Sequence, residues 1–160
     1  MDSSFEAIVE QYRKMVYGIA LTYTGNKADA DDVFQDTFLV CYQKFDILKD
    51  MEHCKAWLIR TAINISKRYM GSSWKKKVFL FGEDSREAGY MFESEEEKEV
   101  FIVLKKLPEK YKVVIYLFYI EEMKISEIAL CLGLSDSAVK VRLNRGRKIM
   151  RNRLGGNFDE

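Results

Sequence analysis

The chain holds one proline, one histidine and three cysteines in 160 residues, and each scarcity excludes something. A single proline leaves long stretches in which nothing interrupts a helix. Alternation of the β type is also scarce, so the expected fold class is all-α. The one histidine, His53, stands beside Cys54 with no metal-spaced partners, and the pair is read as incidental. Cys41, Cys54 and Cys131 are widely spaced, odd in number and without a CxxC pair. That points to reduced thiols in a cytoplasmic protein and away from a disulfide frame or a zinc cluster. There is no glycine-rich phosphate loop and no set of residues spaced for catalysis, so neither an enzyme nor a cofactor is expected. The longest apolar run, residues 113–120, falls far short of the roughly 20 residues that span a bilayer. The amino terminus is acidic and amphipathic, which is not the make-up of a signal peptide, and no membrane insertion is expected. Net charge is only +1, so this is not a protein that coats nucleic acid by bulk positive charge.

What the chain does have is charge in separate places. Residues 124–153 read as a short helix, a tight turn at Cys131-Leu132-Gly133-Leu134, and a longer helix after Ser135. Ser135 suits the N-cap, Asp136 complements the positive end of the second helix, and Gly133 fits a left-handed helix exit. Ile125, Ile128, Ala129 and Leu132 make one apolar face on the first helix. On the second, Val139, Leu143, Gly146, Met150 and Leu154 form a narrow buried stripe. At about 100° per residue the opposite face carries Ser137, Val141, Asn144, Arg145 and Lys148, flanked by Lys140, Arg151 and Asn152. Arg142, Arg147 and Arg153 lie nearer the buried edges. No acid occurs between Val139 and Leu154. Two helices across a short turn, the second cationic, form the pattern of a helix-turn-helix whose second helix enters a DNA groove. A run of cations alone is more often a solvated face; the turn and the apolar first helix are what favour DNA here.

Upstream, a helix capped at Ser3 or Ser4 runs to about Thr24, with Phe5, Ile8, Val9, Tyr12, Val16, Ile19 and Tyr23 on its apolar face. Gly25-Asn26 breaks it. A second helix, about residues 27–45, buries Val33, Phe34, Phe38, Cys41, Tyr42 and Phe45 and carries Asp29, Asp31, Asp32 and Asp36 beside Gln35. Acids suit a first turn, but four exceed what the helix dipole requires. A loop over residues 46–52 leads to a third helix ending near Met70, with Trp57, Leu58, Thr61, Ala62 and Ile65 inward. Lys55, Arg60, Asn64, Lys67 and Arg68 are left outside, and the cationic surface continues through Lys75, Lys76 and Lys77. Tyr69 and Trp74 lie among these cations, the mixture that binds single strands by stacking and phosphate pairing. From Gly71 to about Ser94 the periodicity fails and acids accumulate, the mark of a linker. The expected domains are therefore residues 1–72, a flexible acidic linker over 73–94, and residues 95–160, which begin with a helix to Leu107. Pro108 then opens the helix that precedes the helix-turn-helix.

Taken in order, four pieces resemble the ECF (extracytoplasmic function) group of bacterial RNA polymerase sigma factors. They are residues 29–38 (DADDVFQDTF), residues 56–64 (AWLIRTAIN), residues 107–111 (LPEKY) and the helix-turn-helix. The resemblance implies a promoter-specificity subunit with no catalysis of its own. Asp29, Asp31, Asp32, Gln35 and Asp36 would dock on the clamp of core RNA polymerase. Arg60, Asn64, Lys67, Arg68 and Tyr69 would recognise and melt the minus-ten element, with Asn64 meeting an extruded base. Ser137, Lys140, Val141, Asn144, Arg145 and Lys148 would read the minus-thirty-five element of promoter DNA, with their domain on the polymerase flap. The linker would thread towards the active cleft and RNA exit path. An anti-sigma factor is an expected further partner. In this group a Thr and a Ser usually stand where this chain has Ala138 and Val141; Val141, facing outward, is placed to touch a thymine methyl. The alternative reading is a stand-alone helix-turn-helix transcriptional regulator whose first domain senses a ligand or dimerises. A helical adaptor that binds only protein is a third.

Overall fold

Gly25 and Asn26 end one helix and begin the next, and the first unit is arranged around that corner. In this computed structural model, residues 3–48, 54–80 and 94–154 are described, with side chains over 5–48, 54–70 and 94–152. Helix α1 spans Ser3–Thr24. Gly25 takes the left-handed conformation, φ 76°, and its N–H reaches the Leu21 carbonyl. Asn26 is extended and caps α2 (Lys27–Gln43), its side-chain oxygen accepting the Asp29 N–H at 2.8 Å. Its amide nitrogen donates to the Thr24 carbonyl and to Asp29 Oδ2, so the corner is closed in both directions. A short α3 (Phe45–Leu48) follows, and α4 begins at Cys54.

Helices α1, α2 and α4 pack on one another. From Met15 to Thr24 every residue of α1 is buried, so its second half has helix on all sides. Its first half keeps the expected amphipathic pattern, with Phe5, Ile8, Val9 and Tyr12 half-buried. Val33, Phe38 and Cys41 from α2 and Leu58, Ile59, Ala62, Ile63 and Ile65 from α4 complete the core. Several expectations change: Phe34, Phe45 and Thr61, expected inward, are only half-buried. Tyr42 is exposed, because its ring stands edge-on to Phe5 at the rim. Trp57 is half-buried, and Ile59 and Ile63 occupy the core on its helix. Helix α4 runs on to Leu80, so residues 73–80, read as linker, are helical. The Gly71-Ser72-Ser73 step suggested a break, but hydrogen bonding continues through poor helix formers when better ones follow, here three lysines. The acids at positions 83–93 lie outside the described residues.

The cysteines are free and buried, and burial with Cys54 nearby pushes the Cys41 thiol up to about 11. Among the described residues no three of His, Cys, Asp or Glu gather to hold a metal ion, and no helix is long and apolar enough to cross a membrane.

The second unit begins at α5 (Glu95–Leu104), capped by Ser94, whose hydroxyl accepts the Glu97 N–H at 3.1 Å. Pro108 is the N-cap of α6 (Glu109–Ile115), one residue before the helix proper. Its carbonyl accepts the Tyr111 and Lys112 N–H groups. The helix then widens into a π turn over Tyr116–Ile120, which no periodicity foretold. Tyr116 is buried in that turn and donates to Glu121 Oε2 at 2.8 Å; burial first, then the Glu121 charge, hold its phenol well above the usual range. Glu122 adopts φ 56°, and Met123 N–H reaches back to the Leu117 carbonyl. Helices α7 (Ile125–Leu132) and α8 (Asp136–Leu154) complete the unit.

Helix α8 crosses α6 at Gly146. A Cβ there would stand 3.0 Å from Ile115 Cγ1 and 3.1 Å from its Cδ1, so any larger residue would force Ile115 to give way by a few tenths of an ångström or more. Gly146→Val is expected to destabilise this unit by about 2–3 kcal/mol, overpacking outweighing the helix propensity gained, read as a lowered thermal midpoint. Asn26→Ala is expected to cost about 1–2 kcal/mol, since a cap is lost and the Asp29 carboxylate loses a buried donor. The measurement is the urea midpoint of the first unit's unfolding.

Candidate nucleic-acid interface

The turn between α7 and α8 is built as its residues suggest. The Lys124 N–H donates to Glu127 Oε1 at 3.0 Å and starts α7. Gly133 ends it at φ 69°, with open space where a Cβ would stand, and Leu134 N–H returns to the Ala129 carbonyl. The Ser135 hydroxyl accepts the Ala138 N–H at 3.0 Å and caps α8, with Asp136 in the first turn. Val139, Leu143, Gly146 and Met150 are buried as the stripe predicts, against α6 and α7.

With that stripe inside, the other face is fixed. Ser137, Lys140, Val141, Asn144, Arg145 and Lys148 are all exposed, Val141 at 43%. Asn152 is exposed too, and Arg142 and Arg151 are half-buried at the flanks. The face is continuous over about three turns and free of carboxylates, which suits phosphate neutralisation with polar groups left to meet base edges. One contact was not legible in the sequence. Arg147, half-buried at the edge, donates from one guanidinium nitrogen to the Tyr119 hydroxyl at 2.8 Å and from the other to Asn144 Oδ1 at 2.7 Å. Tyr119 lies on the π turn, so a helical wheel of α8 alone contains no signal for it.

In the first unit, Arg60, Asn64, Lys67 and Arg68 are exposed on α4, at the three- and four-residue steps of one helix face. Tyr69 is half-buried and turns towards α2, its hydroxyl 3.4 Å from Asp36 Oδ2. Burial first, then the nearby charges of Asp36 and Asp32, raise its phenol above the ordinary value. The cationic face of α4 and the acidic face of α2 are thus adjacent, joined at Tyr69.

The acidic group itself divides. Asp29 is only 8% exposed and is held by Asn26, so it belongs to the corner and not to the outward face. Asp31 accepts from the Tyr17 hydroxyl at 2.8 Å and from Lys27 Nζ at 2.9 Å. Asp32 and Gln35 are exposed and Asp36 is half-buried, with Leu39, 55% exposed, one turn further on.

Two family descriptions match the chain in order: sigma-70 region 2 over residues 8–76, and sigma-70 region 4 over residues 103–150. The chain is similar to the ECF RNA polymerase sigma factor SigW of Bacillus subtilis, at 29% identity over 94% of this chain and 89% of that one. It is also similar to the ECF RNA polymerase sigma-E factor of Haemophilus influenzae, at 25% identity over 94% and 87%. Among solved structures, CnrH in complex with the cytosolic domain of CnrY superposes with TM-score 0.65 and 26% identity, covering 96% of this chain and 88% of that one. A capped cationic helix in the second unit and adjacent acidic and basic faces in the first, matched by both sigma-70 regions in order, place the chain in the sigma-70 family as an ECF-type RNA polymerase sigma factor.

Proposed function

We propose that the chain acts in the cytoplasm as a promoter-specificity subunit, without catalytic chemistry of its own, that carries core RNA polymerase to its promoters. The observation that carries this reading is the outward face of α8, six exposed residues opposite the buried Val139, Leu143, Gly146 and Met150. Residues 95–160 would read the minus-thirty-five element with Ser137, Lys140, Val141, Asn144, Arg145 and Lys148. Residues 1–72, extended by the helical segment to Leu80, would open the minus-ten element with Arg60, Asn64, Lys67 and Arg68. Tyr69, engaged with Asp36, would act at the margin of that surface. Asp32, Gln35 and Asp36, with Asp31 beside them, form the surface for polymerase, whereas Asp29 supports the fold beneath it. The solved complex of CnrH with the cytosolic domain of CnrY supports an anti-sigma protein as a further partner of this chain.

The test is reconstitution with bacterial core polymerase, followed by transcript formation from a promoter library. Co-elution with new start-site selection supports the reading. Failure to bind core, with tight duplex binding by the chain alone, transfers it to the stand-alone regulators. Within the holoenzyme, Arg145→Ala is expected to weaken promoter binding by about 1–3 kcal/mol at one base position. Lys148→Ala should weaken all sequences alike and lower the salt slope by about one. Unchanged affinity in both variants would remove α8 as the reading helix. Asp32→Lys, on an exposed side chain, is expected to weaken core binding by about tenfold, measured by competition for core against the unmodified chain.

A further inference from the structure

The Tyr119–Arg147–Asn144 chain of hydrogen bonds crosses from the π turn to the exposed face of α8, and it has a consequence for which base is read. An arginine side chain has donors only, so the group that Asn144 turns towards Arg147 must be its amide oxygen. The Tyr119 hydroxyl, 2.8 Å from the other guanidinium nitrogen, anchors Arg147 from a separate segment of the fold. Asn144 is exposed at mid-helix, and with its oxygen turned towards Arg147 the end of the amide left to point away from that contact is its NH2, with two donors.

An asparagine free to turn in the major groove pairs with adenine in two bonds, its oxygen taking the N6 proton and its nitrogen giving one to N7. Here that oxygen already accepts from a guanidinium, whose positive charge disfavours a second donor, such as adenine's amino group, at the same oxygen. Guanine brings acceptors, O6 and N7, to the same two places. We infer that Tyr119 and Arg147 are positioning residues that hold the Asn144 amide with its donor end outward, setting the base pair it faces in favour of guanine over adenine. This rests on the reading of α8 as the helix that enters the groove. What it adds is that part of the specificity is fixed from the π turn, by a residue outside the helix-turn-helix.

The experiment uses holoenzyme assembled from core polymerase and the full chain, selecting from duplexes randomised across the minus-thirty-five region. Asn144→Ala is expected to flatten the preference at one base pair, which identifies the base that Asn144 faces. At that pair the unmodified chain should favour guanine. Tyr119→Phe, which removes one oxygen, and Arg147→Lys, which keeps the charge but loses the fork, should each move the adenine-to-guanine ratio towards adenine by about fivefold or more. A merely structural role for these residues lowers occupancy on every sequence alike and leaves that ratio fixed. The inference is overturned if Asn144→Ala flattens no position while other positions still select, or if the ratio stays put in both positioning variants. Absence of any sequence selection by the unmodified holoenzyme is a different failure, and it removes the promoter reading together with the inference.

Discussion

At Gly146 the long last helix passes so close to Ile115 that even a Cβ would stand only 3.0 Å from it. A helix in contact at one point is still free to roll, but this one is also held by Val139, Leu143 and Met150, all buried along the same line. Roll and height are therefore both settled by packing, and the exposed face is what remains once packing is satisfied. The cationic residues need no device of their own to face outward. Their direction is inherited from an apolar stripe and a missing Cβ, while the Ser135 cap and the left-handed Gly133 set where the helix begins. The exposed cationic face is thus held by the core behind it, which is what the proposed reading of base edges requires.

How much of this was legible in the sequence depends on the range of the interactions involved. The helix-turn-helix was readable almost residue by residue, because caps, glycine exits and apolar stripes act over three or four positions. The exposed set on α8 follows from the same short-range rule. The exposure of Tyr42 and the partial burial of Trp57 were not readable, since each depends on which neighbouring helix supplies a better-fitting side chain. The π turn, the Arg147–Tyr119 contact across 28 positions and the Tyr69–Asp36 contact across 33 belong to the same class. Asp29 shows the limit within a motif. Its place among four acids suggested a surface role, but the third position after an asparagine cap made it the cap's partner. The spacing contained that signal too, since Asn26 precedes it by three, and the density of carboxylates around it drew attention away.

The two faces of the first unit meet where a phenol from α4 reaches a carboxylate on α2. Asp36 serves both helices, so a surface suited to protein and a surface suited to nucleic acid share an edge within one small unit. The same economy appears in the second unit, where Tyr119 and Arg147 tie the π turn to the exposed face of α8. In both places an aromatic hydroxyl bridges a charged surface to the element behind it. Tyrosine suits this position because its ring packs with the apolar body of the fold while its oxygen remains at the rim.

The burial of every residue from Met15 to Thr24 also bears on time. A helix with one wet face can shed a turn without disturbing its neighbours, but this half of α1 has no such face to shed. Its amides open to solvent only when α2 and α4 part from it, which makes it the slowest-breathing segment of its unit, while the amphipathic first half is left free to fray. A single helix therefore has two lifetimes, with the division near Lys14. The surfaces offered to partners on α2 and α4 rest on the long-lived half.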